Sequence, residues 1–243
     1  LSSVGRPGPT LVDLPKDVTL DETDEEPGDA EAPAGTDPDP SARADAVEAA
    51  ARAIESADKP VCLFGGGVIK GEASETAREF ARTYEIPVVT TMPGIGSFPE
   101  DDELCLSWAG MHGTGYANMA ITHTDCLVAV GTRFDDRLTG GVDTFAPEAE
   151  VVHIDIDPAE ISKNVYADYP LVGDAATVLE QLDGAIDTTP AADVWREQCR
   201  AWIETYPMTY AAPDDETLKP QFVDEEFEQA TGHDTIVTTG VGP

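Results

Sequence analysis

The chain has 243 residues, 41% of them hydrophobic, which is enough to bury one large core or two modest ones. Acidic side chains number 48 against 14 basic ones, so the formal net charge is -34 and the isoelectric point is near 4.1. Such a field repels phosphate backbones and anionic lipids, which argues against a nucleic-acid-binding or membrane-binding protein. No stretch approaches the roughly 20 apolar residues that a membrane span needs.

The acidic residues occur on nearly every segment, including those with strand and helix patterns, and not in one disordered block. At molar salt the Debye length falls to about 3 Å, which screens self-repulsion at this charge density. We therefore predict a cytoplasmic protein of a salt-accumulating halophile. The four cysteines form no CxxC pair, so buried free thiols are expected, and neither a zinc site nor a disulfide framework.

The hydrophobic pattern predicts a short strand at residues 10–14 and a helix that begins near residue 43. Strand and helix signals then alternate, a pattern that builds a doubly wound, mainly parallel α/β sheet of the Rossmann-like kind. Predicted strands occupy residues 61–64, 86–91, 126–130, 151–156 and 171–172, with a last one at 235–239. Predicted helices occupy residues 72–84, 113–123, 175–186, 190–206 and 221–230, with a helical turn after Pro158.

Composition divides the chain into five segments. Residues 19–42 combine many acids with prolines and little apolar surface, which predicts an acidic linker. Residues 43–187 carry the alternating pattern and form the predicted α/β domain. The remaining segments are residues 1–18, a connector at 188–218 and a last piece at 219–243.

Three successive glycines, Gly65, Gly66 and Gly67, follow the strand at 61–64 and precede a helix. A backbone without Cβ atoms can approach a phosphate there, with free N–H groups and the helix dipole to meet it. The turn does not match G-x-G-x-x-G, so a structural turn and a ligand-binding turn are equally open.

Two further glycine-containing segments carry polar or polarizable side chains. Thr91 and Met92 lie at the carboxyl end of the next strand, where open α/β sheets bind ligands, and an ordinary Pro-Gly turn is the alternative. Gly110, Met111 and His112 enter a helix, and their small backbone lets an aromatic ring system approach. The alternative is that His112 merely caps the helix.

Charged residues follow three other strands. The segment from Gly131 to Arg137 has four charges in five residues, and arginines of this kind bind phosphate or carboxylate unless they form a surface ion-pair network. Asp155 and Asp157 end another predicted strand, where a carboxylate usually accepts hydrogen bonds from ribose hydroxyls. Glu160 follows one helical turn later, and Gly173-Asp174 ends the next strand in a similar way. Each of these acids is also a possible N-cap of the following helix. No hydrolase or NTPase motif occurs. The constellation indicates an extended nucleotide-like ligand across several strand ends.

Several of these segments resemble those of a known family. Gly110-Met111-His112-Gly113-Thr114 combined with Arg133-Phe134-Asp135-Asp136-Arg137 resembles the catalytic subunits of acetohydroxyacid synthase (acetolactate synthase), and so do residues 6–9, 14–17 and 152–157. The resemblance runs essentially from end to end. It implies a three-domain thiamine diphosphate enzyme that condenses two pyruvates, or pyruvate and 2-ketobutyrate, with loss of CO2. The products, acetolactate or acetohydroxybutyrate, belong to branched-chain amino-acid synthesis.

The resemblance also implies a bound FAD that takes no net part in the reaction. Arg137 would bind the carboxylate of the second keto acid, and Lys16 would lie near the substrate channel. No metal ligand is expected in this chain. The residues that the resemblance implies along the FAD are Arg6, Gly65, Gly66, Gly67, Thr91, Met92, Gly110, Met111, His112, Gly131, Arg133, Asp136, Asp155, Ile156, Glu160, Gly173 and Asp174.

The chain also departs from the family. The family's catalytic glutamate lies in an N-terminal domain, its diphosphate and Mg²⁺ ligands lie in a C-terminal domain, and neither set is recognisable here. Residues 1–18 resemble the end of the pyrimidine-binding domain, and residues 219–243 resemble the start of the diphosphate-binding domain, whose turn at Gly240 would approach the cofactor. With Leu1 in place of a starting Met, we expect an internal fragment that is inactive alone. Pro93 stands where relatives more often carry Met.

Family members are dimers or tetramers and pair with a regulatory small subunit, which the resemblance implies for the full-length protein. Two other functions are open at this point. One is a stand-alone nucleotide-binding or interaction module that shares only the fold. The other is a different FAD-containing carboligase, such as a glyoxylate carboligase or a sulfoacetaldehyde-type acetyltransferase, because Arg137 favours a keto-acid acceptor without naming the acid.

Overall fold

Six parallel strands form a sheet in the computed structural model of the chain, which describes residues 5–6, 8–24, 40–211, 218–231 and 235–238. The strands are β1 (Pro60–Phe64), β2 (Val88–Thr90), β3 (Cys105–Trp108), β4 (Cys126–Val130), β5 (Glu150–Asp155) and β6 (Tyr169–Val172). Their order is β3-β2-β1-β4-β5-β6, and every neighbouring pair is parallel. The doubly wound parallel α/β fold is thereby confirmed.

Helices connect the strands. The described α-helices are α1 (Ala44–Ser56), α2 (Gly66–Lys70), α3 (Ser74–Thr83), α4 (Gly115–His123), α5 (Asp136–Thr139), α6 (Ala175–Asp183), α7 (Asp193–Thr205) and α8 (Pro220–Thr231). Short 3-10 turns occupy Val18–Leu20, Met92–Gly94 and Val142–Thr144. None of these described helices has the length and apolar character that crossing a bilayer requires.

Alternate side chains of the central strands enter two cores, one on each face of the sheet. Cys62 and Phe64 of β1 belong to the core that α1, α3 and α6 cover, whereas Val61 and Leu63 belong to the core that α4 and α7 cover. Burial on both faces explains why these strands are continuous apolar runs. Full burial of one such side chain contributes roughly 1.5–3 kcal/mol, so a charged residue at Leu63 would disrupt this layer.

All four cysteines are buried and unpaired, as predicted. Burial raises the pKa of the Cys105, Cys126 and Cys199 thiols to about 12, and it raises that of Cys62 as well. The reactive thiolate form is therefore scarce at neutral pH, so these side chains act as small apolar core residues.

Side-chain caps set where three helices begin. Thr114 Oγ1 accepts a hydrogen bond from an α4 N–H group at 3.1 Å, and Asp174 Oδ1 accepts one from the Thr177 N–H at 3.0 Å in α6. Asp135 Oδ1 accepts from two N–H groups in α5 at 3.2 and 3.3 Å. Each cap stabilises its helix by about 1 kcal/mol. Asp135 and Asp174 closely follow β4 and β6, so their caps also fix two loops at the carboxyl edge of the sheet.

Three secondary-structure predictions are wrong. Residues 10–14 are exposed and form no strand, because no neighbouring strand pairs with them among the described residues. The residues after Pro158 form successive turns, with N–H groups bonded three residues back, in place of a helix. Residues 235–238 form no strand, and the rest of that predicted unit, residues 239–243 with Gly240, lies outside the described residues.

Strand β3 has no counterpart among the predicted elements. Val88 of β2 pairs with Cys105 while Thr90 pairs with Trp108, so β3 contains one extra residue. Ser107 accommodates it with a φ of 61°, and its N–H donates to Cys105 Sγ at 3.3 Å. This bulge interrupts the alternation of side chains from which a strand is predicted.

The chain divides into two compact units, Leu1–Tyr206 and Pro207–Pro243. The first contains the sheet and helices α1 to α7. The second contains α8, in which Glu225 accepts a hydrogen bond from the Tyr210 hydroxyl at 2.6 Å. Most of the predicted linker, residues 25–39, lies outside the described residues, as do residues 1–4, 7, 212–217 and 232–234.

Candidate functional site

A cleft of about 540 Å³ lies at the carboxyl ends of the strands. It opens where β1 and β4 meet in the sheet, at the point where the strand order reverses, which is where doubly wound folds bind nucleotides. The volume is in the range that small-molecule and cofactor sites occupy, about 300–1,000 Å³. Residues predicted from the sequence that line it are Arg6, Gly66, Gly67, Thr91, Gly131, Arg133, Asp155, Ile156 and Asp174.

The glycine turn crosses the loop after β4 in direct backbone contact. A Cβ on Gly65 would lie 2.2 Å from the Gly131 carbonyl oxygen, and one on Gly67 would lie 2.6 Å from the Gly131 Cα. The N–H groups of Gly65 and Gly67 donate to the carbonyls of Val130 and Gly131 at 2.8 and 3.0 Å. The expectation that this turn offers free N–H groups is therefore wrong at these two positions. Gly65 and Gly67 are therefore required for packing, and Gly66 and Gly67 also line the cleft.

Three of the 14 basic side chains line this one cleft, although the chain as a whole is strongly acidic. They are Arg6, Lys70 and Arg133, which come from an N-terminal segment, from α2 and from the loop after β4. Glu72, Asp135, Asp155 and Asp174 also line it. The site therefore combines cations that suit an anionic group with carboxylates that suit hydroxyl or amino groups.

Arg6 is held by two carboxylates that lie far from it in sequence. Its Nη1 lies 3.0 Å from Asp157 Oδ2 and 2.5 Å from Glu160 Oε1. Lys163 Nζ lies 3.2 Å from the same Glu160 oxygen. Burial would raise the pKa of Glu160, but its hydrogen bonds with Arg6 and Lys163 outweigh burial and lower that pKa. Glu160 thus positions Arg6 at the cleft and does not itself line it.

Asp155 ends β5 inside the cleft and is almost fully buried. Burial raises the pKa of its carboxyl, while the Asp157 N–H donates to Asp155 Oδ1 at 2.9 Å and opposes that rise. One carboxylate oxygen is thereby used, and the other remains as an acceptor beside the cleft. A buried carboxylate at a strand end is the arrangement that accepts hydrogen bonds from ribose hydroxyls.

Gly173 and Asp174 follow β6 and have structural partners of their own. The Asp174 N–H donates to the Pro40 carbonyl at 2.9 Å, and a Cβ on Gly173 would lie 2.7 Å from that same oxygen. Asp174 is the N-cap of α6 and also lines the cleft, whereas Gly173 is not among the lining residues.

The segment from Gly131 to Arg137 divides between the cleft and the outer surface. Arg133 and Asp135 line the cleft and form a long ion pair of 3.8 Å. Asp136 and Arg137 are exposed and lie outside the lining. The Arg137 side chain makes no ion pair with any residue that the structure describes.

The loop at Gly110 is tied to that segment and not to the cleft. The Met111 N–H donates to the Arg137 carbonyl at 2.8 Å, and Asn118 exchanges two hydrogen bonds with the Gly110 backbone at 2.9 and 3.0 Å. The helix-capping alternative for His112 is wrong, because Thr114 is the cap of α4. Met111 and His112 are exposed, as is Met92 in the turn after β2, so these side chains project from the carboxyl edge outside the cleft lining.

Comparison with known proteins identifies the family. A family model described as thiamine pyrophosphate enzyme, central domain, matches residues 47–182, which hold β1 to β6 and most of the cleft. The chain belongs to the thiamine pyrophosphate enzyme family. The fold of that central domain and the cleft at its switch point agree with the match.

Within the thiamine pyrophosphate enzyme family, the chain is similar to acetolactate synthases. It is 44% identical over 249 residues to the acetolactate synthase of Mycobacterium bovis, covering 100% of this chain and 40% of that protein. The acetolactate synthase large subunit of Corynebacterium glutamicum is 44% identical over 250 residues, 100% of this chain and 39% of that protein. A probable acetolactate synthase large subunit of Methanocaldococcus jannaschii is 44% identical over 254 residues, which cover 100% of this chain and 43% of that protein. The resemblance stated from the motifs is confirmed, and the chain spans about 40% of these relatives' length.

Several residues that line the cleft of this family member were not among the residues predicted to contact the FAD. Lys70, Thr132 and Pro93 line it, as do Glu72 and Ala175. Lys70 lies one helical turn after Gly66 in α2, a helix that was not predicted, because the predicted helix begins only at residue 72. Lys16, predicted near a substrate channel, is exposed in the segment 8–24, and its carbonyl accepts from Thr19 Oγ1 at 2.9 Å.

A second groove, of about 470 Å³, lies at the opposite edge of the sheet, near the residues that precede β2 and β3. Arg82, Arg196 and Arg200 line it, and each has a carboxylate partner within the groove: Asp102 at 2.9 Å, Glu85 at 3.0 Å and Glu103 at 3.4 Å. Asp193 and Glu197 also line the groove, so five carboxylates face three arginines in an ion-pair network that ties α7 to α3 and the loop before β3. Among the described residues, no three His, Cys, Asp or Glu side chains converge as ligands for a metal ion.

Proposed function

We propose that the chain supplies the FAD-binding central domain of an acetolactate synthase large subunit. The observation that carries this proposal is the cleft at the switch point, in a chain 44% identical along its whole length to acetolactate synthases. The proposed reaction condenses two pyruvates, or pyruvate and 2-ketobutyrate, with release of CO2 in branched-chain amino-acid synthesis. Thiamine diphosphate with Mg²⁺ supplies the decarboxylation chemistry in the full-length protein.

The residues of the cleft fit an adenine dinucleotide. Gly66 lines the cleft beside Pro93, whose Cβ a side chain on Gly66 would meet at 3.0 Å, so glycine here lets the two turns pack together at the edge where an elongated ligand would lie. Lys70 and Arg133 offer positive charge to a diphosphate, and the buried Asp155 carboxylate offers an acceptor to a ribose hydroxyl. The exposed side chains of Met92 and Met111 offer polarizable surface to a flavin ring outside the cleft.

Arg137 is the proposed contact to the carboxylate of the second keto acid, and Lys16 is proposed to lie near the substrate channel. Arg137 is exposed and without a carboxylate partner in the described part of the chain, so its guanidinium is available to form a bidentate pair with a carboxylate. Its backbone is joined to the loop at Met111, which connects the proposed substrate contact to the proposed flavin surface.

The chain covers only about 40% of the relatives' length, so we further propose that it needs the remaining domains for turnover. For the full-length protein we propose a homodimer or homotetramer with a regulatory small subunit, working in the cytoplasm of a halophile. The acidic surface supports the last point, because its self-repulsion demands strong screening.

A ligand-selectivity experiment tests the proposal against its alternatives. The chain is titrated with FAD, NAD and ADP in molar KCl, and binding is followed by flavin fluorescence and by the thermal midpoint. Selective FAD binding is the expected result, with no acetolactate formed from pyruvate, thiamine diphosphate, Mg²⁺ and FAD. Binding of NAD or ADP without FAD would favour a stand-alone nucleotide-binding module, and acetolactate formation would contradict the need for further domains.

A further inference from the structure

The loop from Gly131 to Asp135 takes a conformation that its own sequence does not favour. Gly131 has a φ of 60° and Phe134 a φ of 51°, so two of five residues lie in the left-handed region. Glycine adopts this region freely, but a residue with a bulky side chain is disfavoured there because its Cβ crowds the backbone. Contacts from outside the loop must therefore hold Phe134 in place.

Three successive carbonyl groups of the loop accept hydrogen bonds from two side chains. His153 Nε2 lies 2.9 Å from the Thr132 carbonyl oxygen. Asn164 Nδ2 donates to the carbonyls of Arg133 and Phe134, both at 3.1 Å. The two donors lie in β5 and in the segment between β5 and β6, so the neighbouring part of the sheet clamps this loop.

The His153 bond fixes the tautomer of that side chain. A backbone carbonyl only accepts, so the proton must sit on Nε2, and Nδ1 is left as a bare acceptor. Nδ1 is fully buried and has no hydrogen-bond partner among the described residues. An unpaired buried polar atom is costly, so the bond from Nε2 to the Thr132 carbonyl is the one polar contact within the described part of the chain that compensates for burial of this ring.

The ring of His153 also holds the left-handed residue. Its centroid lies 4.9 Å from that of Phe134 in an edge-to-face arrangement, and Phe145 contacts Phe134 from another side at 5.8 Å. Phe134 is thereby only 2% exposed. One side chain, His153, thus fixes both the backbone before Arg133 and the ring after it.

We infer that His153 and Asn164 are positioning residues, which fix the loop that presents Arg133 and Asp135 to the ligand in the cleft. Neither lines the cleft, whereas Thr132, Arg133 and Asp135 do. Preorganisation of this kind raises affinity because the ligand need not order the loop on binding. The inference rests on the proposed function in that FAD is the probe of the cleft.

Two kinds of variant separate positioning from simple folding. Asn164→Asp places carboxylate oxygens against two carbonyls, and because Asn164 is exposed the core remains intact. Tyr166→Asp adds the same charge two residues away on a side chain that is 73% exposed, and it serves as the matched control. His153→Leu removes the buried donor, and His153→Gln restores an amide donor near the position of Nε2.

FAD affinity is measured by flavin fluorescence, and amide hydrogen exchange of residues 131–138 is measured without ligand. We expect Asn164→Asp and His153→Leu to weaken FAD binding about tenfold or more and to speed exchange of this loop. Tyr166→Asp should match the unmodified chain, and His153→Gln should regain most of the affinity. Unchanged FAD affinity in Asn164→Asp, in a chain that binds FAD, would overturn the inference. If the unmodified chain binds no FAD, the proposed function fails instead, and the exchange of residues 131–138 in Asn164→Asp decides whether the clamp exists.

Discussion

Gly67 and Gly131 lie in backbone contact across the switch point of the sheet. The Gly67 N–H donates to the Gly131 carbonyl at 3.0 Å, and a Cβ on Gly131 would lie 2.6 Å from the Gly67 Cα. This contact brings the turn after β1 against the loop after β4. The absence of side chains at Gly67 and Gly131 therefore allows the two loops that border the cleft to lie against each other.

Substitution of Gly131 by alanine should destabilise the chain by about 2–4 kcal/mol, because the new Cβ meets backbone and the φ of 60° becomes strained. Gly184→Ala is the matched control, since its Cβ would have no neighbour closer than 3.5 Å. Chemical denaturation in molar salt measures both. Equal midpoints for the two variants would mean that the crossing of the loops is not tight.

Asp155→Asn should weaken FAD binding and yet leave the fold as stable or more stable at neutral pH. The buried carboxylate carries a desolvation penalty, which raises its pKa, and the neutral amide removes that penalty while its oxygen still accepts from the Asp157 N–H. Calorimetry and a flavin titration on the same samples check the two effects. Asp143→Asn, on an exposed carboxylate, is the control.

The pH dependence of that stability difference has a defined sign. Because the folded pKa of Asp155 is raised, its charged form penalises the fold once the pH rises above the unfolded value near 3.8. The advantage of Asp155→Asn should therefore grow from about pH 3.8 through the folded pKa and then stay constant. An advantage that shrinks with rising pH would contradict the assignment of this carboxylate as a desolvated group.

The ionisation of His153 should make the fold less stable as the pH falls, whereas that of Asp155 makes it less stable as the pH rises. Burial lowers the pKa of His153, so the folded state binds the proton more weakly than the unfolded state does, and stability should fall as the pH drops below about 6.5. His153→Gln should make this part of the stability profile flatter. Denaturation midpoints between pH 8 and pH 5 measure the difference, and parallel profiles for the two proteins would rule out His153 as the source.

The fold was predictable because the apolar runs at 61–64 and 126–130 and the helical periodicity at 175–186 express burial locally. Strand β3 was not, since the bulge at Ser107 removes the alternation. The glycines and aspartates that line the cleft could be predicted as site residues because they directly follow the ends of predicted strands. The partners of Arg6, 151 and 154 residues away, could not, because a sequence pattern carries no such pairing.

The charge of -34 predicts a strong dependence on salt. Lowering KCl from molar to millimolar concentration lengthens the Debye length from about 3 Å to 30 Å or more, so repulsion among the acids is no longer screened. The thermal midpoint should fall steeply as KCl is removed. A midpoint that is the same in both buffers would contradict the proposal that the chain is adapted to concentrated salt.

The most direct test of the central claim is hydrogen exchange of the chain with and without FAD in molar KCl, read by mass spectrometry. FAD should slow exchange in the segments at 65–71, 131–135, 155–156 and 173–175, which surround the cleft, and leave the groove at Arg82 and Arg196 unchanged. Absence of protection at the cleft under saturating FAD, or protection confined to that second groove, would contradict the assignment of the switch-point cleft as the flavin nucleotide site.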